Sequence, residues 1–413
     1  MKINSKEEII NYFESGCKKK FSIGVENEKF LFDVKSNSRS NYKQISNVLI
    51  FLKKFGWKEI KEDKNLIGLT KNGQSITLEP GNQIELSGEL CKNIHEVCSE
   101  SFIFQKQLDE ACNQLGLKTL SIGYDPLSDL NSVPNNPKKR YEIMTEEMPK
   151  NGELSLDMMY QTCGTQINLD YSSEDDFKKK FQIISFLTPL TIALFANSAI
   201  KENTPTGFLS YRSKVWQSTS RGGLPDIFLE NITFEKYADF ILNFPLLFLF
   251  KNDHYISPKG KKYKNLIENG EANIDNLQLH LSTIFTELRL KKYIELRSID
   301  ACEWDCHCAG PAFFTGLLYG NLDETFEIIK NWNKSEIKNA YAVSYKKGLK
   351  TEINGKDCLF WSKQFFKISK NGLEKRSFLN QKKNDESVYL KNIENILVNN
   401  LTKAEQALNN LKK

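Results

Sequence analysis

Five glutamates fall where strand alternation would gather them on one surface. In FSIGVENEKFLF, Phe21, Ile23 and Val25 take one face while Gly24, Glu26 and Glu28 take the other, since successive strand side chains point to opposite sides. Read the same way, SITLEP places Thr77 and Glu79 opposite the apolar residues, and QIEL places Gln83 and Glu85 there. GTQINLDY adds Gln166, Asn168 and Asp170, and ELRLKKYIELR adds Glu287, Arg289, Lys291, Tyr293, Glu295 and Arg297. A solvated face is ordinary for an antiparallel sheet. Such faces usually mix Lys, Thr and Ser, however, whereas these concentrate Glu26, Glu28, Glu79, Glu85 and Glu295. Carboxylates crowded on one surface repel strongly unless cations lie between them. An oxygen-rich set with few His or Cys suits Mg2+ or Mn2+ and not zinc. Carboxylates around two or more Mg2+ ions, with Arg and Lys close by, hold a nucleotide triphosphate and stabilise phosphoryl transfer.

Arginine usage points to the same segments. Only seven of the 57 cations are Arg (39, 140, 212, 221, 289, 297 and 376) in a chain rich in Lys, Asn and Ile. Where Lys so dominates, Arg persists at positions that need a planar, bidentate guanidinium. The usual nucleotide signatures are missing: there is no GxxxxGK[ST], no GxGxxG after a strand, no kinase motif set and no HExxH. The cluster ACEWDCHC offers Cys302, Cys306, His307 and Cys308, but no second CxxC stands at zinc spacing and the last three are too tightly adjacent for easy tetrahedral coordination.

The elements that carry these residues read as alternating strands and helices. Strands are expected at 21–32, 64–70, 74–79, 83–87, 117–123, 163–171 and 286–299. Helices are expected at 5–18, 42–56, 92–115, 174–198, 233–249 and 276–285, with mostly helix to the end. An Asn/Pro-rich loop is expected at 131–138, and a Ser/Thr/Gly loop around 216–224. The 413 residues, 40% hydrophobic and 26% charged with a formal charge of +5, describe a globular protein too weakly basic to imply nucleic acid. The apolar stretch 181–200 carries Gln182, Pro189 and Asn197, so it is expected as a buried helix and no membrane is expected. No charged and apolar leader opens the chain, which gives a cytoplasmic expectation. Nine cysteines without a leader read as reduced thiols by default. One domain over 1–413 is expected, with room for a helical C-terminal subdomain from about 310.

The segments IGVENEKF, SITLEPGNQIELSG, RYEIMTEEMPK, LSLDMMYQTCGTQINLDYSSEDDF, PLTIALFANS, GFLSYRSKVW and LRLKKYIELRSIDAC resemble the plant-type glutamate–cysteine ligases, which also occur in proteobacteria. They run in family order from about residue 20 to 320. The resemblance implies an α+β fold: one large glutamine-synthetase-like domain whose curved, mainly antiparallel sheet forms a funnel flanked by helices. It implies ATP-dependent joining of the γ-carboxylate of L-glutamate to the amine of L-cysteine through γ-glutamyl phosphate, the first step of glutathione synthesis.

On that resemblance, Glu26, Glu28, Glu79, Glu85 and Glu295 with Gln166 would hold two or more Mg2+ ions on ATP. Glu26, Glu28, Arg289 and Arg297 would form the catalytic set. Arg140, Tyr141, Met158, Thr162, Arg212 and Trp216 would bind substrates, Arg212 at the α-carboxylate of glutamate and Arg140 at the carboxylate of cysteine. Cys98 and Cys308 align with the family's shared redox pair, with Cys306 as a rival partner, and the protein would be a monomer or a redox-dependent homodimer. Two departures stand out. FPLLF places Leu247 where relatives often carry Tyr, and the plant enzymes' extra hairpin cysteines and transit peptide are absent. A related carboxylate–amine ligase with another acceptor, or a non-catalytic binding protein, are the alternative functions.

Overall fold

The computed structural model describes residues 2–252 and 254–411. Its centre is a nine-stranded antiparallel sheet. Seven strands come from the first part of the chain: β1 (Ile23–Asp33), β2 (Lys58–Glu62), β3 (Asn65–Lys71), β4 (Gln74–Leu78), β5 (Ile84–Ser87), β6 (Leu117–Leu120) and β7 (Gly164–Leu169). Two short hairpins, β8–β9 (Ile200–Lys201, Thr204–Pro205) and β10–β11 (Leu249–Lys251, His254–Ile256), lie outside the sheet. β12 (Leu288–Leu290) and β13 (Ile294–Asp300) complete it, in the order β12-β13-β7-β1-β5-β4-β3-β2, with β6 on the outer end of β1.

Register aligns the two faces. Glu26 lies opposite Gln166, Glu28 opposite Glu85, and Glu295 opposite both Arg289 and Asn168. The segment expected as one strand over 286–299 is a hairpin instead, turned through Lys291–Tyr293. The turn brings Arg289 directly across from Glu295 on the polar face.

Helices cover the apolar face. On the β2–β5 side, α2 (Tyr42–Leu52) and α3 (Ile94–Leu115) bury Leu49, Leu52, Phe104 and Leu108 against Leu69, Ile76, Leu78, Ile84 and Leu86. On the other side, Val25, Ile167 and Leu296 pack with Phe181, Ile184 and Leu187 of α6 (Glu174–Leu194). α1 (Lys6–Glu14) adds Ile9 and Phe13 to that core. Local signals set these ends. Ser173 accepts the Asp176 N–H, and Glu174, Asp175 and Asp176 fill the first turn of α6, where carboxylates complement the positive end of the helix dipole. Gly116, at φ +68°, closes α3, a conformation that costs glycine little.

Four short helices went unread in the sequence: α4 (Lys139–Glu147), α5 (Ser155–Gln161), α7 (Tyr211–Gln217) and α9 (Tyr263–Glu268). α8 (Phe234–Asn243) stops short of the expected 249 because Pro245 forces Phe244 into extended backbone. α9 (Tyr263–Glu268) and α10 (Ile274–Ser282) lead back to β12. Beyond the sheet come α11 (Trp304–His307), α12 (Ala309–Thr315) and further helices whose Ile337, Phe365 and Ile393 join the core of α6. Among the described residues, no helix is long and apolar enough to cross a membrane.

Reduced thiols hold for five cysteines but not for four. Cys98 on α3 is bonded to Cys308, and Cys302 to Cys306, each pair with Cα atoms 6.0 Å apart. That separation is in bridging range, and Cys306, the rival partner for Cys98, is taken by Cys302. Between the two bridges, His307 hydrogen-bonds Asn27 on β1 (2.8 Å) and Ser101 on α3 (3.0 Å). The cluster is therefore a seam between helix and sheet and not a zinc centre.

The Cys98–Cys308 link spans 210 residues of sequence, so its loss should cost about 2–5 kcal/mol. Oxidised protein should melt higher than dithiothreitol-treated protein, and Cys98→Ser should melt low with little further response to reductant. Superimposable melting curves for oxidised wild type and Cys98→Ser would contradict a formed bridge.

Candidate active site

The polar face of the sheet opens onto a cleft of about 240 Å3, lined among others by Glu26, Glu28, Glu79, Glu85, Gln166, Arg289 and Arg297. Four of its carboxylates have only neutral partners. Glu26 accepts from Asn168 Nδ2 (3.0 Å), and Glu28 from Gly164 N (2.5 Å) and Gln166 Nε2 (3.4 Å). Glu85 accepts from the hydroxyls of Thr77 and Ser87 (both 3.0 Å), and Glu79 lies 3.3 Å from the Tyr141 hydroxyl. Burial, then Glu79, pushes the Glu28 carboxyl up to about 7. Burial, then Glu26, Glu79 and Glu28, pushes Glu85 up as well.

Glu295 stands in the opposite situation. Arg289 grips it bidentately, Nε to Oε2 at 3.0 Å and Nη2 to Oε1 at 2.6 Å, while Lys291 Nζ lies 3.0 Å from Oε2 and Arg297 donates to Oε1. Burial opposes ionisation here, but Arg289, Lys291 and Arg297 outweigh it and hold the carboxyl well below its usual range. Arg297 also donates to Gln166 Oε1, leaving its buried Nε without a partner among the described residues. The five glutamates are thus not equivalent: four hydrogen-bond only neutral groups, and Glu295 anchors two guanidiniums.

The far wall is built on α4, α5 and α7. Arg140 Nη2 donates to the Tyr141 hydroxyl (2.9 Å), which lies 2.9 Å from the Leu78 carbonyl, and the buried Arg140 Nε has no partner among the described residues. Met158, Thr162 and Trp216 line the cleft, with Trp216 Nε1 donating to Thr162 Oγ1 at 3.3 Å. Arg212 does not reach the wall. It is buried with its guanidinium 4.9 Å from the Trp216 ring, donates to the Arg297 carbonyl (2.9 Å), and stands 3.9 Å from Asp300. Ser198 and Ser210 fix Asp300, which stands beside Arg212 behind Trp216, and the buried Arg212 Nε has no partner among the described residues. The Gly164 backbone passes so close that an added Cβ would meet Arg212 Nη2 at 2.6 Å.

Alternation set Gln83 and Glu287 on the polar face without giving them a role, and it passed over Lys138 and Phe248. Gln83 lines the cleft and donates to the Met159 and Thr162 carbonyls (both 3.1 Å). Lys138 is buried beneath it, donates to the Leu78 carbonyl (2.7 Å), and is pushed down to about 8 by burial. Glu287 accepts from Tyr341 (2.7 Å), a residue too distant in sequence for any motif to pair them. Phe248, and not Leu247, faces the cleft.

A family model, glutamate–cysteine ligase family 2, matches residues 22–411. The chain belongs to that family. Among its relatives, the chloroplastic glutamate–cysteine ligase A of Oryza sativa subsp. indica is 38% identical over 420 residues, covering 98% of this chain and 84% of the rice protein. The chloroplastic glutamate–cysteine ligase of Arabidopsis thaliana is 36% identical over 422 residues, 98% of this chain and 79% of its own. The fold resembles the crystal structure of glutamate–cysteine ligase from Francisella tularensis in complex with AMP, with a TM-score of 0.57, 12% identity, and coverage of 95% of this chain and 85% of that one. The protein is a ligase of the first step of glutathione synthesis. The cytoplasmic expectation is overturned by the same relatives, which are named chloroplastic.

The raised carboxyls make stability fall with pH. Glu28 and Glu100, both pushed up to about 7 from 4.5, hold protons in the fold that the unfolded chain releases at lower pH. Their cost therefore appears as pH climbs from about 4.5 and is complete above about 7. In chelator, Glu28→Gln should flatten part of the decline in melting temperature across this window, leaving the shares from Glu85 and from Glu100 on α3. A slope identical to wild type would contradict the assignment.

Proposed function

We propose that the cleft makes γ-glutamylcysteine from L-glutamate, L-cysteine and ATP. A γ-carboxylate oxygen of glutamate attacks the γ-phosphorus of ATP, releasing ADP and forming γ-glutamyl phosphate. The cysteine amine then attacks the acyl carbon, loses a proton, and expels phosphate. The observation that carries this reading is the division of labour on the sheet. Four carboxylates with only neutral hydrogen-bond partners share the face with two guanidiniums anchored by a fifth.

The residues fit a divalent metal. All donors are oxygens, and burial, then repulsion from neighbouring glutamates, raises the Glu28 and Glu85 carboxyls, a cost that a bound cation would relieve. Glu26, Glu28, Glu79 and Glu85 with Gln166 would hold Mg2+, with Glu295 at the edge it shares with its arginines. Bound there, Mg2+ would offset phosphate charge and position the nucleotide. Arg289 and Arg297, ordered in advance by Glu295, would neutralise charge developing on the transferring phosphoryl group. Arg140, oriented by Tyr141, would fork onto the carboxylate of cysteine. Met158, Thr162 and Trp216 would shape the amino-acid pockets, with Arg212 and Asp300 supporting Trp216. Residues 1–413 would act as one catalytic domain, because the helices beyond 310 share the core beneath the sheet.

Leu247 favours a second reading, a ligase of this family with another amine acceptor. It is buried with Trp216 and Met158 and supplies no hydroxyl where relatives often have one.

The deciding experiment is ADP release with glutamate, with and without cysteine and a panel of other amines. Cysteine should raise release most, and a better acceptor would favour the second reading. Glu79→Gln should lower turnover at least ~100-fold, and near-normal turnover would contradict its role at the metal. Arg140→Lys should raise the KM for cysteine, by roughly the tenfold or more that a lost charge-assisted fork represents, without changing the KM for ATP.

A further inference from the structure

Arg221 stands behind the cleft with no carboxylate at salt-bridge distance among the described residues. Its guanidinium is buried, and every partner is neutral. Nε donates to the Thr283 carbonyl (2.8 Å), Nη2 to Thr283 Oγ1 (3.1 Å) and Nη1 to the Pro245 carbonyl (2.8 Å), with the Phe244 ring 4.7 Å away. Burial pulls it down to about 9. Its own backbone runs beside the cleft wall, Phe285 N donating to the Arg221 carbonyl (3.0 Å) and Glu287 N to that of Gly223 (2.9 Å).

The same turn is gripped from the opposite side. Arg289 Nη1 takes the carbonyls of Ser282 (2.8 Å) and Ile284 (3.1 Å). Carbonyls 282, 283 and 284 thus point in succession to Arg289, Arg221 and Arg289. Thr283 and Phe285 line the cleft on this turn, and Phe248, three residues beyond Pro245, lines it from another. Arg221 is the one side chain that hydrogen-bonds both the Thr283 turn and the Pro245 turn. A lysine would keep the charge but lacks the fork to hold both.

We infer that Arg221 is a positioning residue that fixes the spacing between Phe248 and the Thr283–Phe285 turn, and so sets how the thiol amino acid seats. This rests on the function proposed above. It assigns Arg221 to acceptor fit, whereas Arg289, which is tied to Glu295, serves phosphoryl transfer.

Steady-state kinetics and hydrogen exchange test it together. Arg221→Lys should raise the KM for cysteine ~10-fold while kcat and the KM for ATP stay within ~2-fold, the signature of lost ground-state positioning. Guanidinium ion, far below denaturing concentration, should lower the raised KM of Arg221→Ala and leave wild type unaffected. Amides of 244–248 and 282–286 should exchange faster in Arg221→Lys, with β13 unchanged. An unaltered KM for cysteine, or kcat and all KM values worsening together without guanidinium rescue, would overturn the inference, as would unchanged exchange in both turns. If wild type fails to ligate cysteine, the proposed function falls, and the exchange data alone then decide whether Arg221 clamps the two turns.

Discussion

Glu26, Glu28, Glu79 and Glu85 share a partly buried surface with neutral hydrogen-bond partners only, and the other features of the cleft answer that charge. Antiparallel register puts Glu28 directly opposite Glu85 and Glu26 opposite Gln166, so the side chains cannot splay apart without breaking the ladder. Hydroxyls and amides ease the crowding without cancelling it. A site of this kind holds its charge in readiness for a cation, because the cost of burying the acids is met when the sheet forms.

Glu295 shows the alternative. Its carboxylate is neutralised by Arg289, Arg297 and Lys291, so it serves to order guanidiniums. Four acids with neutral hydrogen-bond partners beside one saturated acid set negative and positive groups a few side chains apart. On the proposed function, triphosphate and metal would be held together there with little rearrangement. The scarce arginines follow the same logic one layer out. Arg39, bonded to Asp125 and to the Gly81 and Tyr160 carbonyls, steadies the turn that carries Gln83. Arg221 does the same for the opposite wall, and Arg376 ties Glu386 in the distal helices.

Much of this was legible from alternation alone. Period two placed Glu26 and Glu28, Glu85, Gln166 and Glu295 on one face, and each is found there, because a strand leaves its side chains only two directions. Arg289 and Glu295 kept the correct face even though the strand was read straight through a turn, since the hairpin returns the same parity. What escaped depended on contacts between segments far apart in the chain. Tyr341 meets Glu287, Arg212 retreats behind Trp216 to Asp300, and Cys306 pairs with Cys302. No local period encodes such pairings. The short helices α4 and α5 escaped for a different reason: at nine and seven residues they are too short to show a clear helical period.

The central claim is that these carboxylates bind divalent ions jointly with the nucleotide. Electron paramagnetic resonance of Mn2+ titrated into the protein, with and without a non-hydrolysable ATP analogue, tests it without requiring turnover. The account predicts two or more bound ions in the presence of the analogue, tighter than without it, and loss of at least one in Glu85→Gln. Binding of the analogue with no bound Mn2+, or Mn2+ binding indifferent to Glu85→Gln, would contradict it.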